Sequence, residues 1–182
     1  MALGSTIFKV ALEVADMDRG YYGSHALTVA RHPSETSERM MIRVLAFALR
    51  AHERLRFGGG VSTPKEPDLW RHTLDGRIEE WIELGQPDVR RVRKACGRAD
   101  EVRIYTYGGM KAATWWEQSA AELSRHENLH VHDLPAAQTA ALAELASSDG
   151  RGIELQCNVQ DGEAYMIGAR ASVCIAAVAR MG

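Results

Sequence analysis

Residues 77–107, RIEEWIELGQPDVRRVRKACGRADEVRIYTY, carry the pattern on which the fold turns. The first nine, RIEEWIELG, alternate in character and predict a strand. A period of two then places Ile78, Glu80, Ile82 and Leu84 on one face and Glu79, Trp81, Glu83 and Gly85 on the other. Pro87 and Asp88 predict a helix through about residue 98, because Pro suits the first turn and Asp the positive end of the helix dipole. EVRIYTY, 101–107, predicts a second strand. Strand, helix and strand in this order imply a mixed α/β sheet.

Working outward, Asp75-Gly76 is a hairpin signal, and the Pro-interrupted stretch 61–70, VSTPKEPDLW, reads as a loop entering the hairpin's first strand. Upstream, SETSERMMIRVLAFALRAHERLRF, 34–57, has Met41, Leu45, Ala48 and Leu49 at helical spacing and ends at Gly58-Gly59-Gly60. Runs 6–14 and 25–32 predict an opening antiparallel pair. Downstream, 111–126 is helical, 129–134 a strand and 135–148 an Ala-rich helix. Two strands follow about Asp161-Gly162, with a final apolar run at 171–179. No period of 20 to 50 residues is visible. The expectation is one α/β domain with α+β character over 1–182: a mixed sheet flanked by helices, with antiparallel hairpins added at both ends.

The 182 residues are 46% hydrophobic and 25% charged, which excludes collagen-like and disordered chains. Lys+Arg of 22 against Asp+Glu of 24 gives a net charge of -2, which excludes a polybasic coat on nucleic acid. Three cysteines, Cys96, Cys157 and Cys174, show no CxxC spacing, so neither a disulfide framework nor a zinc ribbon is expected. With no signal-peptide pattern and no long apolar run, a soluble protein in a reducing cytoplasm, away from membranes, is the expectation. The oligomeric state is left open.

Candidate chemistry lies in the carboxylates. Glu83 stands at the C-terminal end of its strand, where open α/β sheets place their sites. Asp68 precedes the partner strand, so the turn at Asp75-Gly76 would draw the two acids to one end of the sheet. Glu38 interrupts a helical stripe that otherwise reads Met, Ile, Leu and Leu, and needs a partner or a purpose. Residues 88–98 hold five Lys or Arg against one Asp, a local charge of +4 directly after Glu83. Such a helix can set a cation, and phosphate, beside carboxylates.

An acid at a strand end, a Pro-Asp before it, a Glu on the preceding helix and a nearby Lys resemble the PD-(D/E)XK nuclease superfamily. The strings ARHPSETSERMMIRVLAFALRAHERLRF, EPDLW and WIELGQPDVRRVRKAC are similar to the YaeQ family of small Gram-negative bacterial proteins, and the resemblance covers essentially the whole chain. It implies a restriction-endonuclease-like core and a Mg²⁺-dependent phosphodiesterase site, with Mn²⁺ as a substitute. Carried over, Asp68 takes the Pro-Asp position, Glu83 the acidic position of the (D/E)XK element and Glu38 the helix carboxylate. Where the superfamily has its Lys, this chain has Gly85, and Lys94 on the next helix would substitute.

The implied reaction is hydrolysis of a nucleic-acid phosphodiester, with Asp68 and Glu83 holding the metal and Lys94 orienting water. Glu38 would complete the outer shell, and Arg90, Arg91 and Arg93 would contact phosphates. The alternative is a catalytically silent module binding nucleic acid or protein through the same cleft; hydrolysis of a small phosphoester is a third reading. A competing match through Asp88, Glu101 and Arg103 is rejected, because Asp88 starts a helix and Arg is too basic to shuttle protons. Trp70, Trp81, Trp115 and Trp116 are expected to pack rather than stack bases. His130 and His132 lack a third ligand, and Tyr105 and Tyr107 are secondary candidates.

Overall fold

The computed structural model describes residues 4–59, 63, 65–146 and 152–182. They divide into two compact units, Met1–Ala51 with Ala137–Ala176, and His52–Ala136 with Ala177–Gly182. Each has its own mixed sheet, and the described residues hold four α-helices.

The first unit opens with β1 (Thr6–Asp16) and β2 (Tyr21–Arg31), antiparallel over all eleven residues without a bulge. The closing hairpin, β8 (Gly152–Gln160) and β9 (Glu163–Ile167), turns at Asp161-Gly162, where both residues have positive φ. The two terminal hairpins do not extend the central sheet; they join each other, β1 running parallel to β8. With β10 (Ser172–Ala176) the order is β10-β9-β8-β1-β2. The inward residues Val10, Leu12 and Val14 are buried while Lys9, Ala11 and Glu13, which alternate with them, are exposed, as a one-sided sheet requires.

Helix α1 (Ser37–Leu49) starts where the Thr36 hydroxyl accepts from the Arg39 N–H, and everything from Met40 to Ala48 is buried. That includes Arg43, which is tolerated because Glu35 accepts from its Nε at 2.8 Å and from its terminal nitrogen at 2.7 Å. The helix stops eight residues before the expected end: Leu55–Phe57 form β3 instead, so strand pairing overrides helical propensity there.

The second unit's sheet runs β11-β7-β6-β5-β4-β3. Its new strands are β4 (Leu69–His72), β5 (Ile78–Leu84), β6 (Ala99–Thr106), β7 (Leu129–Asp133) and β11 (Val178–Met181). The expected hairpin at Asp75-Gly76 joins β4 to β5, with Gly76 at φ 87°. β5, β6 and β7 are parallel, joined by α2 (Val89–Cys96) and α3 (Met110–Leu123). Trp81, Val92, Ala95, Val102, Ile104, Leu123, Leu129 and Val131 form its core. The predicted final run splits, since β10 joins the first sheet and β11 pairs with β7 in the second. Of the predicted loop after Gly59, residues 60–62 and 64 lie outside the described residues, as do 147 and 148 at the end of the Ala-rich helix, which is α4 (Ala136–Ala143) with a following 3-10 turn.

Candidate active site

Asp68 and Glu83 are brought together by the β4–β5 register. Leu69 stands opposite Ile82, and one step further the Asp68 N–H donates to the Ile82 carbonyl at 3.1 Å. Asp68 thus closes on the C-terminal end of β5, and its Oδ2 accepts from the Leu84 N–H at 2.9 Å, beside Glu83. Both carboxylates are buried.

Glu83 shares a sheet face with Trp81, as the period of two requires, and its Oε1 accepts from the indole Nε1 at 2.7 Å. The same oxygen accepts from Arg91 Nε at 2.7 Å, and a terminal nitrogen of Arg91 donates to the Glu66 carbonyl at 2.6 Å. Burial pushes the Glu83 carboxyl above the usual carboxylate range; the bonds from Trp81 and Arg91 pull it down, and the charge of Asp68 pushes it up again.

The helix positions Arg91 by its start. Asp88 is the N-cap, its carboxylate accepting from the Arg90 N–H at 2.9 Å, which is the role that argued against a catalytic Asp88. Val92 and Ala95 are buried, and at about 100° per residue Arg91 flanks that stripe while Lys94 falls on the far side, exposed. Arg91, not Lys94, is the cation the structure sets against Glu83. Arg93 pairs with Glu122 of α3 at 2.6 Å, and Arg90 is exposed. Gly85, just past the end of β5, has φ 90°, a conformation that side chains other than glycine adopt at a cost.

Glu38 belongs to the first unit, where its Oε1 accepts from the Thr139 hydroxyl of α4 at 2.6 Å. The polar break in the apolar stripe has a hydrogen-bonding partner. Sequence reasoning missed Glu80, which is fully buried on the other face of β5 and held by Arg103 at 2.8 Å and Arg71 at 3.5 Å. The signal was Arg71 and Arg103 on the flanking strands, in register with it or two residues along. Trp70, Trp115 and Trp116 pack against the core that contains Trp81. His130 lies 3.8 Å from Glu101, and Tyr105 packs on His132.

Among the described residues no three His, Cys, Asp or Glu side chains cluster to hold a metal ion. A pair of carboxylates still fits Mg²⁺, which commonly takes one or two carboxylates and completes its shell with water and substrate phosphate.

A two-unit mixed α/β protein with paired acids at the C-terminal end of a parallel strand is the class that fold and site define. The YaeQ protein family model matches residues 1–177, and the chain belongs to that family. The "Uncharacterized protein YaeQ" of Salmonella typhi is 44% identical over 170 residues, 93% of this chain and 92% of that one. Its Escherichia coli K12 counterpart is 43% identical over 166 residues, 91% and 90% of the two chains. The crystal structure of the YaeQ protein from Xanthomonas axonopodis pv. citri superposes with a TM-score of 0.93 at 46% identity, covering 98% of this chain and 99% of that one. That from Pseudomonas syringae gives 0.89 at 34% identity, covering 98% and 97%.

Proposed function

We propose that the second unit is a Mg²⁺-dependent phosphodiesterase of PD-(D/E)XK, restriction-endonuclease-like type, acting on nucleic acid. The observation that carries this reading is the pair of buried carboxylates at the C-terminal end of β5, where Asp68 accepts from the Leu84 N–H and a guanidinium donates to Glu83. Asp68 and Glu83 would hold the ion, and Mn²⁺ would substitute. When bound, the metal supplies Lewis acidity, activating water and offsetting phosphate charge. Arg91, expected to contact phosphate, is the cation beside the carboxylates in place of the water-orienting Lys94, because a planar guanidinium there can turn a two-pronged donor set to phosphate oxygens. Arg90 and Lys94, exposed on α2, serve the backbone further out, and this reading assigns no step to Glu38, which accepts from the Thr139 hydroxyl.

The second reading, a binding module without catalysis, is favoured by Gly85 in place of lysine and by the seating of Arg91 on Glu83. Cleavage of single- and double-stranded oligonucleotides in Mg²⁺ and Mn²⁺ separates the two. Hydrolysis lost in Glu83→Gln and reduced in Arg91→Ala supports the enzyme. Metal-dependent retention of oligonucleotide without cleavage supports the module.

A further inference from the structure

β2 is a sheet edge of an unusual kind. Among the described residues it pairs on one side only, with β1, and it runs eleven residues without a bulge. From Tyr21 to Ala30 it carries no Lys, Arg, Asp, Glu or Pro. The other terminal strands of the two sheets, β10, β3 and β11, are five, three and four residues long, and β11 carries Arg180. Proteins keep free edges short, charged or bent because a long plain edge recruits another strand.

The exposed side chains of β2 say which strand. On the outer face, Tyr22, Ser24, Ala26, Thr28 and Ala30 are all exposed. Ser24 donates its hydroxyl to Glu13 Oε2 at 2.6 Å, so its lone pairs face outward as acceptors. Thr28 accepts from Lys9 Nζ at 2.7 Å, since an ammonium can only donate, and this leaves the Thr28 hydroxyl proton to give. One edge thus presents an acceptor and a donor at equal distances on either side of Ala26.

We propose that β2 pairs antiparallel with β2 of a second copy of this chain, on a twofold axis through Ala26, giving a continuous ten-stranded sheet. In that register Ser24 faces Thr28 of the other copy. A hydrogen-bonded row then runs from the Lys9 ammonium of one copy through Thr28 to Ser24 and the Glu13 carboxylate of the other, and symmetry repeats it. Every donor in the row meets an acceptor, and positive charge on one copy ends on negative charge of the other. Tyr22, 67% exposed, lies opposite Ala30, large against small. No like charges face each other across the seam, and the interface is isologous as twofold symmetry demands.

Sedimentation from low micromolar to near-millimolar protein tests this. The wild type is expected at twice the chain mass. Ala26→Lys sets two ammonium groups face to face at an exposed position and should weaken association by about tenfold or more with the circular-dichroism spectrum of the folded chain unchanged. Ala26→Cys gives the register: directly opposed residues lie about 4.5–5.5 Å apart between Cα atoms, within disulfide range. Mild oxidation should therefore link that dimer covalently and leave the oxidised wild type unlinked. A wild type that stays monomeric overturns the proposal, whether or not the edge takes up a foreign peptide. So does a dimer indifferent to Ala26→Lys, or one in which Ala26→Cys fails to crosslink.

Discussion

Glu83 is 4% exposed, and burial lifts its carboxyl above its ordinary value of 4.5. The folded protein therefore binds a proton there more tightly than the unfolded chain. Through this group, stability grows as pH falls from the raised pKa toward 4.5, and above the raised pKa the buried charge is a standing cost. Glu83→Gln removes the titration, so its melting temperature relative to the wild type should be most favourable near neutrality and should fall back as pH approaches 4.5. Thermal melts of metal-free protein across that range check the sign. Gly85 makes a second residue-scale case. A side chain there would meet only the Tyr107 ring, at an ordinary 3.6 Å, so space is not the constraint; the φ of +90° is. Gly85→Lys should cost about 1–2 kcal/mol by urea denaturation, and Gly85→Ala about the same, since the cost is in the backbone.

At the scale of elements, α2 is short, and a capping carboxylate and two buried residues fix its place. Asp88→Ala should cost about 1 kcal/mol. Hydrogen exchange should show the loss first in the amides of the first turn, with Arg91 less firmly held on Glu83 as a consequence. The strand–helix–strand run from Ile78 to Thr106 was legible in sequence because period, cap and turn residues all agreed there. β3 was not legible: LRF reads as the tail of a strong helix, and only its pairing with Leu69–Arg71 decides otherwise. The same limit hid the site's cation. Composition showed a basic helix after Glu83, but the choice of Arg91 over Lys94 depends on which face Val92 and Ala95 bury.

For the whole molecule, most elements came through, β3 and the split of the final run excepted, and the partition into two sheets did not. Hairpin signals are local, whereas the parallel pairing of Lys9–Asp16 with Gly152–Val159 joins the two ends of the chain, and no short-range pattern encodes it. A chain ending after residue 146 lacks β8 and should lose amide protection along β1, read by hydrogen exchange. The Asp68–Glu83 pair was foreseeable because one hairpin places both. Glu38 was assigned by resemblance to the same site, while the structure gives it Thr139 as partner within the first unit. The account therefore rests on two carboxylates, and calorimetric titration with Mg²⁺ and Mn²⁺ addresses them directly. It predicts binding by the wild type, retained in Glu38→Gln and abolished in Asp68→Asn combined with Glu83→Gln; binding that survives the double change would contradict it.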